Sequence, residues 1–506
     1  MKNIVILGGG SAGWLTSLYV RQLFPSSNLI QIESSDVGIL GAGEGSVPLL
    51  PSFLRSLKID ESDFVKKTRA TFKLGINFEN WSKLGETYFH PFSPVMSGLH
   101  YNNITKEFPI IAGIPNSLFS PFLINAIGNN RNLDDVIPSC KLALDNRSPY
   151  IQQDGLKKQT VGYSYHFDAR LTADYLKNIG ISRGIKVLDG KVESFTKNNG
   201  DVTEVILEGG LKVPCDFIFD CSGFARLIIG KEYNTEWIPY DEQLTVNTGI
   251  PFFLPQSEDH IKPYTRAIAM KHGWMWQIPL QHRWGCGYIF DDRYTNPDDA
   301  KKEVEEYLGH SIESNRIFKF KAGRYKDVWV NNCIAIGLSS GFTEPLEATS
   351  IIVSMMALSA LDTNSLENRN RELVEEFNEY VSSINEEVVS FLYYHYMTGR
   401  KDTDFWKNYQ SNTKTPEKLK NLLSKWETRV MYPKDENTFV PSRVFALDSW
   451  LTVGVGNKIL NKEIYKKYNE DLMLDKRLGL FVNKFNDNLN TVTNNSVDHL
   501  QYLKNL

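Results

Sequence analysis

The run Ile4-Val5-Ile6-Leu7-Gly8-Gly9-Gly10-Ser11-Ala12-Gly13 decides the fold of this chain. Four apolar residues in succession are typical of a strand that is buried on both faces of a parallel sheet. The glycines that follow have the G-x-G-x-x-G spacing of a nucleotide-binding turn. Gly8 permits the tight turn, Gly10 lets the backbone approach a pyrophosphate, and Gly13 permits a helix to pack closely on the sheet.

A second strand and an acidic residue extend this unit. Ser11 and Ala12 begin a helix, whose N-terminal N–H groups and dipole stabilise phosphate charge. The apolar run 29–32 then ends at Glu33, 20 residues after Gly13, where the fingerprint requires a carboxylate for the ribose hydroxyls. The sequence therefore predicts a dinucleotide-binding βαβ unit. The alternative is a glycine-rich turn without a ligand, with Glu33 as a solvated strand end.

Further glycine turns follow strands elsewhere in the chain. A glycine loop at 41–48 comes just after the Glu33 strand, and the strands 217–220 and 333–336 each lead to a turn of small residues. We expect these turns to contact the cofactor through Gly43, Glu44, Gly45, Gly223 and Gly337. Only one G-x-G-x-x-G is present. This favours reduction of the bound dinucleotide by a separate protein over reduction at an NAD(P)H site in the same chain.

Size and charge narrow the class of protein. A chain of 506 residues is too long for one simple core and predicts two or three intergrown modules. The net charge of −4 and the pI near 6.2 argue against a nucleic-acid binder, which would carry a basic stripe. Five cysteines without C-x-x-C spacing predict buried thiols, a reducing cytoplasm and no metal site.

Two apolar runs resemble targeting or membrane segments. Glycines interrupt the first, at 4–7, so we expect a strand there rather than a signal peptide. The second, at 351–361, is shorter than the ~20 residues that span a bilayer and predicts a buried helix. We therefore expect no membrane contact.

Two tryptophans on one strand form a second motif. Gly273-Trp274-Met275-Trp276-Gln277-Ile278-Pro279 places Trp274, Trp276 and Ile278 on one face, because side chains alternate along a strand. Two indole rings on one face make a rigid wall, which we call the tryptophan wall. Taken alone, the pattern fits two core tryptophans of an antiparallel strand equally well.

A lysine between apolar residues is a third feature. Lys73 lies in Thr71-Phe72-Lys73-Leu74-Gly75, where Phe72 and Leu74 favour burial of its ammonium group. Desolvation lowers the pKa of a lysine and makes the amine reactive or a strong donor. The alternative is an ordinary solvated lysine.

A fourth segment is Glu344-Pro345-Leu346-Glu347-Ala348-Thr349-Ser350-Ile351. Pro345 suits the first position of a helix. Glu347 then falls in the first turn, where a carboxylate complements the helix dipole. On this interpretation Glu347 is structural.

Together these segments resemble the flavin-dependent halogenases, the tryptophan halogenase family. Residues 273–279 match the family's G-W-x-W-x-I-P signature in full. The segment around Lys73 resembles the one with the family's catalytic lysine, and 344–351 resembles the one with its partner glutamate and halide site. The resemblance thins after about residue 400. It implies an enzyme that uses reduced FAD, O2 and a halide to make hypohalous acid, which a lysine delivers to an electron-rich aromatic ring.

The resemblance also implies roles for single residues. Lys73 would bind hypohalous acid by a hydrogen bond or form a haloamine, and Glu347 would polarise the halogen donor or accept the arenium proton. The tryptophan wall would keep the substrate away from the flavin. Backbone N–H groups of Thr349 and Ser350 would bind chloride, bromide or iodide, although tryptophan-specific members tend to have glycine at the position of Ser350.

Three aromatic residues are candidates for substrate contact. The stretch 89–92 resembles one that packs the aromatic substrate in the family, which implicates His90 and Phe92. A loop histidine beside a buried Phe92 is the alternative. Trp450, at the end of the segment 443–450, is a further candidate wall. Free tryptophan, other indoles and phenols all remain candidate substrates.

The predicted fold class is α/β, with a Rossmann-like FAD-binding module of the flavin monooxygenase type, an added substrate-binding sheet and a helical C-terminal region. Residues 1–365 are expected to form the FAD-binding module, with substrate-binding segments at about 85–165 and 225–330. Residues 366–506 are expected to be mainly helical and to cover the substrate site. An oligomer is possible.

The local patterns also predict particular elements. Residues 60–81 are expected to be a helix that passes into a strand, and 168–183 a helix. Residues 85–150, which have weak periodicity, are expected to be loops over the sheet.

Two other functions fit parts of the sequence. An FAD-dependent aromatic monooxygenase would hydroxylate its substrate directly, which requires substrate at the flavin and is disfavoured by the tryptophan wall. A non-halogenating FAD-binding protein would bind FAD and give no halide-dependent product.

Overall fold

The opening strand lies in the middle of a parallel sheet. A computed structural model shows a sheet of five parallel strands with one antiparallel strand at its edge. If the parallel strands are numbered by their order in the chain, their order across the sheet is 3-2-1-4-5. In this order the strands are Lys186–Asp189, Asn28–Glu33, Asn3–Leu7, Phe217–Asp220, Cys333–Ala335 and Trp329–Val330. This is the order of doubly wound nucleotide-binding sheets, so the predicted Rossmann-like α/β fold is confirmed.

The structure describes residues 1–37, 44–92, 116–153, 156–256, 259–314, 316–473, 478–479, 487 and 489–506. Gly43, a predicted cofactor contact, lies outside the described residues. The chain divides into two compact units of three segments each. The first unit comprises Met1–Ala70, Phe167–Leu244 and Phe320–Glu386; the second comprises Thr71–His166, Thr245–Lys319 and Glu387–Leu506. The division of the chain at residue 365 stays a prediction.

Local sequence explains the elements of the first unit. The helix Ser11–Leu23 follows the glycine turn and buries Trp14, Leu15 and Leu18. Asp168 begins the next long helix, because its carboxylate accepts hydrogen bonds from the backbone N–H groups at the helix start. The other strands are Glu44–Gly45, Val192–Asn198, Asp201–Leu207, Lys212–Pro214, Trp237–Pro239, Gly323–Tyr325 and Gly341–Phe342.

The helices of the first unit are Ser11–Leu23, Leu49–Ser56, Glu61–Thr68, Ala169–Ser182, Thr349–Ser359 and Thr363–Asn368. Short 3-10 turns span Gly223–Ala225 and Gly337–Ser339, and a π-helical turn spans Leu227–Glu232. The predicted helix at 168–183 is confirmed. The predicted buried helix around 351–361 is also confirmed. Among the described residues, no helix combines the length and apolar character needed to cross a bilayer.

A mixed seven-stranded sheet organises the second unit. Its strands follow the order Phe318–Lys319, Thr248–Pro255, Arg283–Phe290, Gly273–Pro279, Thr265–Ala269, Gly75–Glu79 and Thr87–Pro91. The predicted tryptophan strand therefore lies inside the sheet, paired antiparallel on both sides. The strand Thr71–Lys73, which we call the lysine strand, pairs antiparallel with the strand Ser164–Phe167. This confirms the predicted passage from helix to strand before Lys73.

The second unit also carries most of the C-terminal helices. They are Asp404–Asn412, Glu417–Trp426, Leu447–Gly456, Lys462–Leu472 and His499–Lys504, with a 3-10 helix at Pro433–Phe439. The helix Pro297–Leu308 packs on the seven-stranded sheet. Further elements of the chain are the helix Arg371–Tyr396, the 3-10 helix Leu346–Ala348 and the strands Arg147–Gln153, Leu156–Gln159 and Ser496–Asp498.

The described part of residues 85–150 does not form the loops that the sequence predicted. The described part contains the helices Asn116–Gly128, Leu133–Val136 and Pro138–Leu144. The prediction was wrong because the first of these helices contains a stretch with no exposed face: every residue from Phe122 to Ile127 is buried. A helix without a polar face gives no helical period in the sequence.

Candidate active site

The glycine turn has the geometry that the fingerprint requires. Gly8 has φ +118°, in the region that favours glycine. A Cβ on Gly13 would lie 1.9 Å from the carbonyl oxygen of Gly8, so close packing excludes any side chain there. A Cβ on Gly10 would meet nothing within 4 Å. The turn therefore leaves open space at Gly10, where a pyrophosphate is expected.

The helix after the turn offers an anion site. Its first turn contains no acidic residue, and the buried Ser11 Oγ has no hydrogen-bond partner among the described residues. Free backbone N–H groups at a helix N-terminus favour negative charge. These features fit the phosphates of FAD.

Glu33 is not a solvated strand end. Its carboxylate pairs with Lys177, and its side chain is 16% exposed. A Cβ on Gly9 would come within 2.5 Å of a Glu33 carboxylate oxygen, so Glu33 lies directly against the glycine turn. This is the position from which a carboxylate can accept hydrogen bonds from a ribose.

Two other predicted contacts lie at left-handed turns. Gly223 has φ +66° and Gly337 has φ +75°. A Cβ on Gly337 would come 2.8 Å from the Cβ of Ala12, so the structure brings this turn against the fingerprint helix. Glu44 and Gly45 together form a short strand.

Gly10→Val is expected to separate cofactor binding from folding. The valine should enter space that the protein leaves empty and should displace the pyrophosphate. FAD affinity should fall roughly 10-fold to 100-fold, the effect of about 1–3 kcal/mol of overpacking. Titration of oxidised FAD measures this directly. The free energy of unfolding should fall by ~1 kcal/mol, because valine is a poorer helix cap than glycine. Unchanged FAD affinity would contradict the assignment.

Glu44 is a carboxyl group with an unusual acidity. Burial and, second, the charge of Asp168 raise the pKa of Glu44 to about 7 from an ordinary value of 4.5. A group with this pKa is largely neutral below pH 7. A neutral acid can lie close to a phosphate, where a carboxylate would repel it.

The pKa of Glu44 predicts a pH dependence of stability. Below pH 4.5 both the folded and unfolded chains hold the proton. Between pH 4.5 and 7 only the unfolded chain releases it, so the free energy of unfolding falls as the pH rises. Glu44→Gln should remove this loss, and the variant should gain stability relative to wild type across that window. Urea unfolding at a series of pH values tests it; parallel pH curves for the two proteins would refute it.

Lys73 is buried and its backbone is held on both sides. Its side chain is 1% exposed, and it pairs with Ser164 of the neighbouring strand. On the other edge, the N–H of Leu74 donates to the carbonyl of Pro263 at 2.7 Å. The Lys73 Nζ lies 5.1 Å from the ring centre of Phe92. The structure thus brings together the predicted lysine and one predicted substrate contact.

A buried hydrogen-bond chain connects the lysine strand to the tryptophan strand. Thr71 Oγ1 donates to the carbonyl of Pro279 at 2.7 Å, so it accepts from the Nδ1–H of His166 at 3.0 Å. The Nε2 of His166 then accepts from Thr265 Oγ1 at 2.9 Å. Burial lowers the pKa of His166 well below its usual value, and the charge of Lys73 lowers it further. A neutral His166 is the form that this chain of bonds requires.

The tryptophan wall is a rigid pair of indoles. Trp274 and Trp276 are buried, with ring centres 6.1 Å apart. Gly287 on the adjacent strand makes room for Trp276, since a Cβ there would lie 2.1 Å from the indole. Sequence reasoning identified the two rings and missed the glycine that seats one of them.

The structural interpretation of the sequence expected Glu347 in the first turn of a helix, but its backbone is not helical. Glu347 has φ +61° and Ala348 has φ +55°, and the helix begins only at Thr349. Left-handed backbone at two successive non-glycine residues is strained and clusters at functional sites. The Glu347 side chain is 3% exposed. The tight turn thus presents a buried carboxyl group.

The same turn leaves the helix Thr349–Ser359 without a side-chain cap. The N–H groups of Thr349 and Ser350 stand at its start, where backbone donors lack partners within the helix. Halide binding there is chemically suitable. Glu347, Thr349 and Ser350 belong to the first unit and Lys73 to the second.

The other two predicted substrate contacts share one neighbour. His90 lies 5.6 Å from the ring of Phe391, and Trp450 lies 4.9 Å from it. Phe445 stacks on Phe391 at 3.9 Å. Sequence reasoning missed Phe391, because its role depends on contacts with residues that are distant along the chain.

Comparison with known proteins shows the family of this chain. The family described as Tryptophan halogenase matches residues 3–470. The chain is 29% identical over 458 residues to tryptophan 6-halogenase SttH of Streptomyces toxytricini, covering 86% of each chain. It is 31% identical over 422 residues to tryptophan 7-halogenase RebH of Lentzea aerocolonigenes, covering 80% of this chain and 78% of the other.

A solved structure shows the same relationship. BrvH, a flavin-dependent halogenase from Brevundimonas sp. BAL3, superimposes with a TM-score of 0.82 at 27% identity, over 100% of this chain and 99% of that chain. The predicted resemblance is confirmed across nearly the whole sequence. The chain belongs to the tryptophan halogenase family, whose members are flavin-dependent enzymes that use reduced FAD and a halide ion.

Proposed function

We propose that Lys73 is the catalytic residue that delivers hypohalous acid to the substrate. The observation that carries this proposal is a fully buried lysine whose strand is fixed on both edges and whose amine lies against the Phe92 ring. A buried amine is a strong donor to a polarised oxygen or halogen. Rigid supports hold such a group in a productive geometry.

When bound, reduced FAD supplies the two electrons that, with O2 and halide, yield hypohalous acid. Gly8, Gly10, Gly13 and Ser11 bind its phosphates, and Glu33 its ribose. Glu44, Gly45, Gly223 and Gly337 complete the cradle. In this proposal the N–H groups of Thr349 and Ser350 bind the halide.

The aromatic residues have two proposed roles. Trp274 and Trp276 exclude the organic substrate from the cofactor, so that halide is oxidised in its place. His90, Phe92 and Trp450 contact the substrate ring. Glu347 polarises the halogen donor or accepts the arenium proton as aromaticity is restored.

The substrate class proposed is an electron-rich aromatic compound, with an indole such as tryptophan first, because SttH and RebH are tryptophan halogenases. The reductant is proposed to come from a separate flavin reductase, since one nucleotide fingerprint is present. A cytoplasmic location fits five buried, free cysteines.

A panel experiment tests this function. The protein is mixed with chemically reduced FAD, O2 and bromide, and with a set of indoles and phenols, and products are identified by mass spectrometry. A monobrominated indole is expected. Bound FAD without any brominated product across the panel would contradict the proposal.

A further inference from the structure

The residues at the end of the chain lie against the lysine strand. The strand Ser496–Asp498 and the helix His499–Lys504 form what we call the C-terminal segment. The His499 ring is fully buried, 5.9 Å from the ring of Phe72. The family match ends at residue 470, so this contact involves residues outside the matched part of the sequence.

His499 completes the free edge of the lysine strand. The N–H of Phe72 points away from the paired strand and donates to His499 Nε2 at 3.1 Å. His499 Nδ1 is therefore the protonated nitrogen, and it donates to the carbonyl of Ile261 at 2.7 Å. The imidazole thus connects two backbone groups, one of them adjacent to Lys73.

The bridge requires a neutral ring. Burial lowers the pKa of His499 to about 4, so Nε2 keeps the lone pair that accepts from Phe72. The carbonyl of Ile261, which accepts a hydrogen bond from the ring, and the carboxylate of Asp498 both raise the pKa of His499. The effect of burial is larger than these two effects. At neutral pH the tautomer is fixed.

Tyr502 makes a second contact with Phe72. Its ring lies 5.5 Å from that of Phe72 and stacks on Tyr150 at 5.3 Å with an angle of 6°. Phe72 is therefore held through its backbone by His499 and through its ring by Tyr502. Together with the Leu74 bond to Pro263, both neighbours of Lys73 are fixed.

We propose that the C-terminal segment is a positioning element for Lys73, in which His499 and Tyr502 fix the lysine strand and so direct the amine toward the substrate. This inference rests on the proposed catalytic role of Lys73. A loosened strand should still allow hypohalous acid to form, but more of it should escape into solution before it reaches the substrate.

Three variants test the proposal in the full-length protein. His499→Phe fills the space but leaves the Phe72 N–H and the Ile261 carbonyl unpartnered. His499→Gln offers one acceptor and one donor and should restore both bonds. Val304→Ala is the control, because it removes buried volume from the core of the seven-stranded sheet without a contact to Phe72 or His499.

Two measurements are made on each variant. The first is the ratio of halogenated substrate to free hypohalous acid, which is trapped by a soluble β-diketone. For His499→Phe this ratio should fall roughly tenfold or more, since small misplacements of a reacting group are costly. The second is hydrogen exchange of the peptide 70–75, which should become about threefold to tenfold faster when one backbone hydrogen bond is lost. His499→Gln should stay near wild type in both, and Val304→Ala should change neither.

Two results would overturn the inference. One is a ratio for His499→Phe equal to that of Val304→Ala, and the other is an equally low ratio for His499→Gln. If His499→Phe does not fold, Tyr502→Leu, which keeps both hydrogen bonds and removes the ring contact, is expected to lower the ratio in the same direction. Failure of the proposed function would give a different result, because the wild-type protein would then form no halogenated product. Hydrogen exchange of the peptide 70–75 would still show whether His499 fixes the lysine strand.

Discussion

Lys73→Ala should consume reduced FAD and O2 at the wild-type rate and yield almost no halogenated substrate. In the proposed mechanism the reaction of reduced FAD with O2 does not use the amine, whereas delivery of the halogen does. Without the amine, hypohalous acid is no longer held beside the ring, and product should fall at least about 100-fold. Oxygen uptake and product mass, measured in the same reaction, give the two rates.

Two further variants make this result specific. Lys73→Met keeps the buried volume of the side chain and should show the same loss, which excludes a cavity as the cause. Lys66→Ala changes an exposed lysine on the preceding helix and should leave product yield unchanged. Full yield from both Lys73 variants would remove Lys73 from the mechanism.

Glu347→Gln should lower turnover by roughly 100-fold, the low end of a general acid–base contribution. The amide has the same shape as the carboxyl group, so the left-handed turn and the helix that follows it should persist. FAD affinity and melting temperature should hardly change. If the carboxyl group served only to complement the helix, the variant would lose at most ~1 kcal/mol of stability and keep its rate.

The measurement for Glu347→Gln is halogenation rate and melting temperature on one preparation. Glu372→Gln, an exposed residue in the first turn of another helix, is the control and should match wild type in both. A stable Glu347→Gln protein at near-normal rate would leave Glu347 with a structural role alone.

Local signals made the nucleotide-binding part predictable. The glycine spacing, the buried strand and Glu33 all lie within one βαβ unit, so short-range sequence determined their arrangement. The tryptophan strand was predictable for the same reason, since alternation along one strand is enough to place both rings on one face.

Features that depend on distant contacts were not predictable. Nothing in the sequence around Glu347 indicates positive φ, which is usually adopted by glycine or asparagine. The helix Asn116–Gly128 gave no period because its stretch from Phe122 to Ile127 is buried at every residue. His499 lies 427 residues from Phe72, and only the folded chain shows that the two are neighbours.

The most direct test of the account is the dependence of product on halide. Wild-type protein, reduced FAD, O2 and the best substrate of the panel are combined with and without bromide, and product masses are compared. We predict a brominated product with bromide and unchanged substrate without it, because in the proposed mechanism the tryptophan wall keeps the substrate from the cofactor. A hydroxylated product formed in the absence of halide would contradict the account.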